Sequence, residues 1–185
     1  MNAKYSTARY GSLSIGLHWV MLLLLVAVYA LIELREFFPK GGDIREGMKA
    51  LHFMLGLSVL ALVVVRLAAR AFGPPAPRIE PEASSLQQKL AKVMHVALYA
   101  LMIGMPLGGW LILSAAGKPI PFFGFELPAL ISQSQDFAHL LKEIHEVGGN
   151  AGYALIGLHA VAALFHHYVL HDNTLRRMLP VQAAG

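Results

Sequence analysis

Four long apolar runs, separated by short polar breaks rich in Pro and Gly, set the pattern of this chain. Leu13 to Ile32 is a run of 20 residues with no charge. At about 1.5 Å per residue it covers roughly 30 Å, the thickness of a bilayer's hydrocarbon core. It is too long for the apolar region of a cleavable signal, and no small-residue cleavage site follows it, so it reads as a first span. Leu51 to Val65 is free of Asp, Glu, Lys and Arg, and extends to Phe72 if Arg66 and Arg70 snorkel to the interface. Val93 to Ala116 is uncharged and contains Pro106, expected to kink its helix. Val147 to Leu170 is the fourth run, with Phe137–Glu146 expected to add helical turns before it. Gly73-Pro74-Pro75-Ala76-Pro77 breaks runs two and three, and a longer loop with Gly117, Pro119, Pro121, Gly124 and Pro128 separates three and four. The pattern predicts an all-α protein, an integral membrane four-helix bundle forming one domain over 1–185, with spans near 13–33, 49–71, 90–115 and 138–170.

Composition supports this reading. Hydrophobic residues make up 56% of the 185 and charged ones only 14%, whereas a soluble chain has about 45–50% and 25%. Cysteine is absent, which excludes disulfides, thiolate metal sites, c-type haem attachment and cysteine-held iron–sulfur clusters. The net charge of +4 reads as basic loops at an anionic membrane surface rather than as a nucleic-acid footprint.

An even number of spans puts both termini on one side. That side collects nine basic residues, Lys4, Arg9, Arg66, Arg70, Arg78, Lys89, Lys92, Arg176 and Arg177, against six on the other, Arg35, Lys40, Arg45, Lys49, Lys118 and Lys142. The positive-inside tendency therefore favours cytoplasmic termini.

Nine histidines remain to be explained. Within a bilayer an imidazole needs a partner or a cofactor, and it is a usual haem and metal ligand. His145 and His159 are 14 residues apart, four turns less about 40°, so they share a face roughly 21 Å apart along the axis. Gly152 lies midway, with Gly148, Gly149 and Gly157 nearby, where small residues would admit a planar ring or a neighbouring helix. His18 lies near the terminal-side end of span one, and His52 near the opposite end of span two. Depth then pairs His52 with His145 and His18 with His159, two bis-histidine sites at two depths. Gly16 and Gly56 leave room beside them. Cofactor-free hydrogen-bonding histidines are the competing reading. A zinc or copper site fits less well, because its ligands would have to converge on one ion. His95 reads as a structural hydrogen-bonder or a haem-propionate neighbour, His139 as solvated, and His171 as interfacial. His166, in the His166-His167 doublet, continues the His159 face and is a candidate for contact with a propionate or a quinone carbonyl, or else simply faces headgroups.

His18-Trp19, Phe37-Phe38-Pro39, Gly157-Leu158-His159-Ala160, His166-His167-Tyr168 and Asp172-Asn173-Thr174-Leu175 with Met178 and Pro180 resemble the bacterial cytochrome b561 family over essentially the whole chain, and most of all its small di-haem members that oxidise superoxide. The resemblance implies two non-covalent b haems, ligated at the positions of His18, His52, His145 and His159. It further implies a bacterial inner membrane location, superoxide oxidised on the periplasmic side, and ubiquinone as electron acceptor. Related b-type subunits of dehydrogenases share the ligand pattern, so the alternative is an anchor passing electrons from a separate dehydrogenase subunit to quinone. A third reading is a haem-free transporter with proton-relaying histidines.

A superoxide donor would be helped by a positive mouth near the outer haem. Arg35, Lys40, Arg45 and Lys49 precede His52 and are the candidate cations, but Glu33, Glu36, Asp43 and Glu46 bring the summed charge to zero. A funnel and an ordinary mixed-charge loop both remain open at this level.

Overall fold

The computed structural model describes residues 9–180; Lys4, counted above for orientation, lies outside them. Four helices carry the architecture: α1 (Ser12–Leu34), α2 (Asp43–Phe72), α3 (Ser85–Ala115) and α4 (Gln135–Tyr168). All four are long and apolar enough to cross a membrane. Short 3-10 turns follow α1 (Arg35–Phe37) and lie in the tail (Arg176–Met178).

Three of the helices begin earlier than the apolar runs do, and their first turns show why. Asp43 and Glu46 sit in the first turn of α2, where acidic groups complement the helix dipole. Ser84 and Gln87 form a reciprocal capping box at the start of α3, with Gln87 N–H donating to Ser84 Oγ at 3.3 Å and Ser84 N–H donating to Gln87 Oε1 at 2.8 Å. Ser134 caps α4 by accepting from the Phe137 N–H. α3 continues through Pro106 as one helix. The fold is all-α as expected, and the α3–α4 loop closes with a short two-stranded antiparallel hairpin, β1 (Pro121–Phe122) with β2 (Phe125–Glu126). Phe123 and Gly124 take positive φ at its tip.

Neighbouring helices pack in chain order, α1 on α2, α2 on α3 and α3 on α4, while α4 barely approaches α1 or α2. The main core comes from Met21 of α1, Val59 and Val63 of α2 and Met102 of α3, with nothing from α4. A second cluster joins Leu57 and Leu113 to Ile120 beneath the hairpin. Leu23, Val64, Leu158 and Val161 are each 58–67% exposed, an apolar outer surface suited to lipid.

The tail straps the terminal end together. Trp19 Nε1 donates to the Met178 carbonyl at 2.8 Å, and the buried Arg177 donates to the Pro77 carbonyl in the α2–α3 linker. Asn173 exchanges hydrogen bonds with Glu80, and the Tyr10 N–H donates to the Arg177 carbonyl at 3.1 Å. Both ends of the described chain therefore lie at the same end of the bundle. Asp172 is the buried anchor, accepting from His166 Nδ1 at 2.5 Å and from the Thr174 N–H at 2.8 Å. Burial opposes ionisation of Asp172, but these hydrogen bonds outweigh it and hold its carboxyl below the usual range. A depressed folded value means the contribution is complete above the ordinary carboxyl pKa of about 3.9 and is lost as pH falls through the lower folded value. Thermal unfolding should accordingly show a loss of stability below about pH 4 that Asp172→Asn flattens.

Candidate cofactor site

Because α4 is held away from α1 and α2, a gap runs between them, and the histidines of the three helices face each other across it. His52 of α2 and His145 of α4 have ring centroids 6.5 Å apart with planes at 74°. His18 of α1 and His159 of α4 lie 6.3 Å apart at 72°. Two imidazoles in direct hydrogen bond would have centroids about 5 Å apart. Two imidazoles on opposite sides of one metal ion, with N–metal bonds of about 2 Å, would have them about 6 Å apart. Both pairs match the second spacing.

The surroundings of the outer pair suit a ligand role. His52 Nδ1 lies 2.9 Å from the Val28 carbonyl. A carbonyl only accepts, so Nδ1 carries the proton and Nε2 keeps its lone pair, the tautomer and orientation expected of a metal-binding imidazole. His145 Nδ1 is buried without a partner, a state that costs about 1–3 kcal/mol unless another group is supplied. The His145 ring lies against Gly108 and Gly109 of α3, where a Cβ at Gly108 would sit 3.4 Å from its Nδ1. Gly108→Val is expected to push His145 out of line and lower haem retention, read as the haem-to-protein ratio after purification; an unchanged ratio would contradict the packing argument.

The inner pair fits with one adjustment. Arg66 Nη2 lies 3.0 Å from His18 Nδ1. A guanidinium only donates, so this contact puts the His18 proton on Nε2. For Nε2 to bind iron, Arg66 must turn off the ring and the proton must move to Nδ1. Arg66, expected to snorkel to the interface, instead reaches this pair. His95 also approaches His159, at 5.4 Å between centroids, and donates from Nδ1 to its own helix at the Ala91 carbonyl, 2.6 Å away.

The glycines divide into two groups. Cβ atoms at Gly16, Gly56 and Gly157 would meet nothing within 4 Å, so the space beside His18 and His52 is unfilled by protein. Gly148 and Gly149 instead receive Met105 of α3, and Gly152 receives Tyr29 of α1 and Leu101 of α3. Tyr29, which the histidine pattern did not single out, crosses the gap midway between the pairs and donates to the Gly149 carbonyl at 2.9 Å.

The other expected site residues fall elsewhere. His166 has its Nδ1 held in the tail strap by Asp172. His139 is exposed beside Glu143, and His171 is exposed at positive φ. Arg45 is a correction to the expected cationic mouth. It is only 7% exposed, bonded to both Glu36 oxygens at 2.9 Å and to the carbonyls of Arg35 and Phe38, and so braces the α1–α2 turn. Arg35 pairs with Glu36 at 3.1 Å and Lys49 with Glu46 at 2.6 Å. Lys40 is exposed, with no ion pair among the described residues.

The family model for prokaryotic cytochrome b561 matches residues 9–181. The chain is 39% identical to cytochrome b561 homolog 1 of Escherichia coli, over 93% of this chain and 97% of the relative. It is 41% identical to a Yersinia pestis protein named probable superoxide oxidase CybB, over 93% and 96%. It is 31% identical to cytochrome b562 of Cereibacter sphaeroides, over 92% and 94%.

Proposed function

The chain belongs to the prokaryotic cytochrome b561 family, which makes it a multi-pass membrane b-type cytochrome of electron transfer, and from that premise we propose that it carries two b haems and moves electrons from superoxide to ubiquinone. The observation that carries the reading is the pair of facing imidazole couples, 6.5 and 6.3 Å between centroids, one towards each end of the gap. His52 and His145 hold the outer haem, and His18 and His159 the inner one. When bound, b haem supplies reversible one-electron chemistry at iron. The chain's own part is to fix the imidazoles. The Val28 carbonyl orients His52, Gly108 and Gly109 make room for His145, and Arg66 offers the inner site a cation that suits an acidic substituent.

The Yersinia relative's name supports superoxide as donor, and the nine-to-six distribution of basic residues supports cytoplasmic termini in a bacterial plasma membrane, with the outer pair towards the periplasm. Lys40 and the rim residues Arg35 and Lys49 would meet the incoming anion, while Arg45 holds the turn that presents them. Two superoxide anions give up one electron each and leave as O2. Those two electrons and two protons convert one quinone to one quinol.

Superoxide generated enzymatically in the presence of purified protein and coenzyme Q1 tests this. The expected result is one quinol per two superoxide anions removed, with oxygen released. Haem-loaded protein that reduces no quinone from superoxide would instead favour an anchor fed by a separate dehydrogenase.

A further inference from the structure

Neither histidine pair uses Glu33 or Tyr153, yet the two meet across the seam between α1 and α4. Tyr153 Oη donates to Glu33 Oε1 at 2.8 Å, and Tyr153 lies six residues inside the apolar run that opens at Val147. Glu33 stands one residue past the apolar run of α1, so the contact joins a carboxyl at the end of that span to a tyrosine hydroxyl of α4. Tyr153 is 45% exposed and Glu33 is exposed, so the pair lies on the outer surface of the bundle at the α1–α4 seam. Behind it stands Tyr29, its ring centroid 4.4 Å from that of Tyr153. Tyr29 neighbours Val28, whose carbonyl orients His52, and its hydroxyl bonds Gly149, one turn along α4 from His145. The two tyrosines therefore form a wall with the outer histidine pair close to one side and the outer surface of the bundle on the other.

We propose that Glu33 and Tyr153, backed by Tyr29, form the docking and protonation site for the quinone headgroup, entered from the lipid through the α1–α4 seam. The inference rests on the quinone-reducing function proposed above. A quinone carbonyl only accepts hydrogen bonds, and the Tyr153 O–H, which Glu33 accepts here, is a donor that can turn to it. The flat ring suits the tyrosine faces, and the apolar tail stays in the lipid. Quinol formation takes two electrons, supplied by two superoxide anions that leave as O2, and two protons, one to each carbonyl oxygen. Tyr153 passes its hydroxyl proton to the quinone and regains one from the Glu33 carboxyl. Glu33, near the end of α1, relays that proton from water, and the opposite carbonyl takes the second proton from water.

Purified protein reduced with stoichiometric dithionite and mixed with coenzyme Q1 tests the site apart from any superoxide chemistry. Glu33→Gln and Tyr153→Phe, each checked for its b-type spectrum, should slow reoxidation by about 100-fold, the scale of a lost proton donor. An azido derivative of coenzyme Q1 should photolabel residues 29–34 or 149–157, a readout independent of turnover that also serves if a variant loses its haem. Unchanged reoxidation in both variants, or label confined to the Arg66 and His95 region, overturns the site. If wild-type protein is not reoxidised at all, the quinone function falls with it; if wild type is reoxidised and the variants match it, this site alone falls.

Discussion

Replacing His145 by Ala is expected, on the two-haem reading proposed above, to reduce the haem bound per chain by about half, because one of the two histidine pairs that would hold a haem then lacks a member. His52 would still be oriented by the Val28 carbonyl but would face an empty partner position. The His18–His159 pair lies 14 residues further along α4 and keeps its own contacts, so its haem should remain. His139→Ala is the control, since that side chain is exposed on the same helix. Pyridine haemochrome analysis against protein concentration reads the stoichiometry. Full haem content in His145→Ala would mean that this histidine is not a ligand.

The second large effect is expected at Gly152. A Cβ there would collide with the Tyr29 hydroxyl and lie 3.2 Å from Leu101 Cδ2, so Gly152→Ala forces α1 and α4 apart or expels Tyr29 from its hydrogen bond. Overpacking of this kind costs about 1–3 kcal/mol. Tyr29→Phe removes the colliding oxygen at a cost of about 1 kcal/mol for the hydrogen bond. The double variant should be more stable than the sum of the single losses predicts, because the two changes share one contact. Thermal unfolding in detergent measures all three, and strict additivity would contradict the account of Tyr29 as the strut between the two pairs.

The spans were legible because lipid imposes a signal of length and apolarity that tertiary packing does not override. The depths of His18, His52, His145 and His159 followed from that topology, and the structure brings together the two pairs that depth implied. Contacts set by side-chain direction were harder to read. Arg45 reads as one cation among four, and only the 3-10 turn after α1 brings Glu36 and two carbonyls around it. Arg66 reads as a snorkelling residue, yet His18 lies within its reach on the adjacent helix. The hairpin escaped notice because its two-residue strands are too short to show alternation in a loop punctuated by Pro and Gly. Gly152 stood out on the histidine stripe, but the sequence left open whether a ring or a helix neighbour filled it; the occupants are Tyr29 and Leu101. The tail motif around Asp172 explains itself only once His166, Thr174 and the α2–α3 linker are seen around it.

The most direct test of the central claim is the optical spectrum of the detergent-purified protein before and after mixing with superoxide, under anaerobic conditions and with quinone withheld. The account predicts a b-type spectrum that becomes reduced on adding superoxide alone. A haem spectrum that dithionite reduces and superoxide leaves oxidised would contradict superoxide as the electron donor, and a protein with no haem spectrum would contradict the reading of the four histidines.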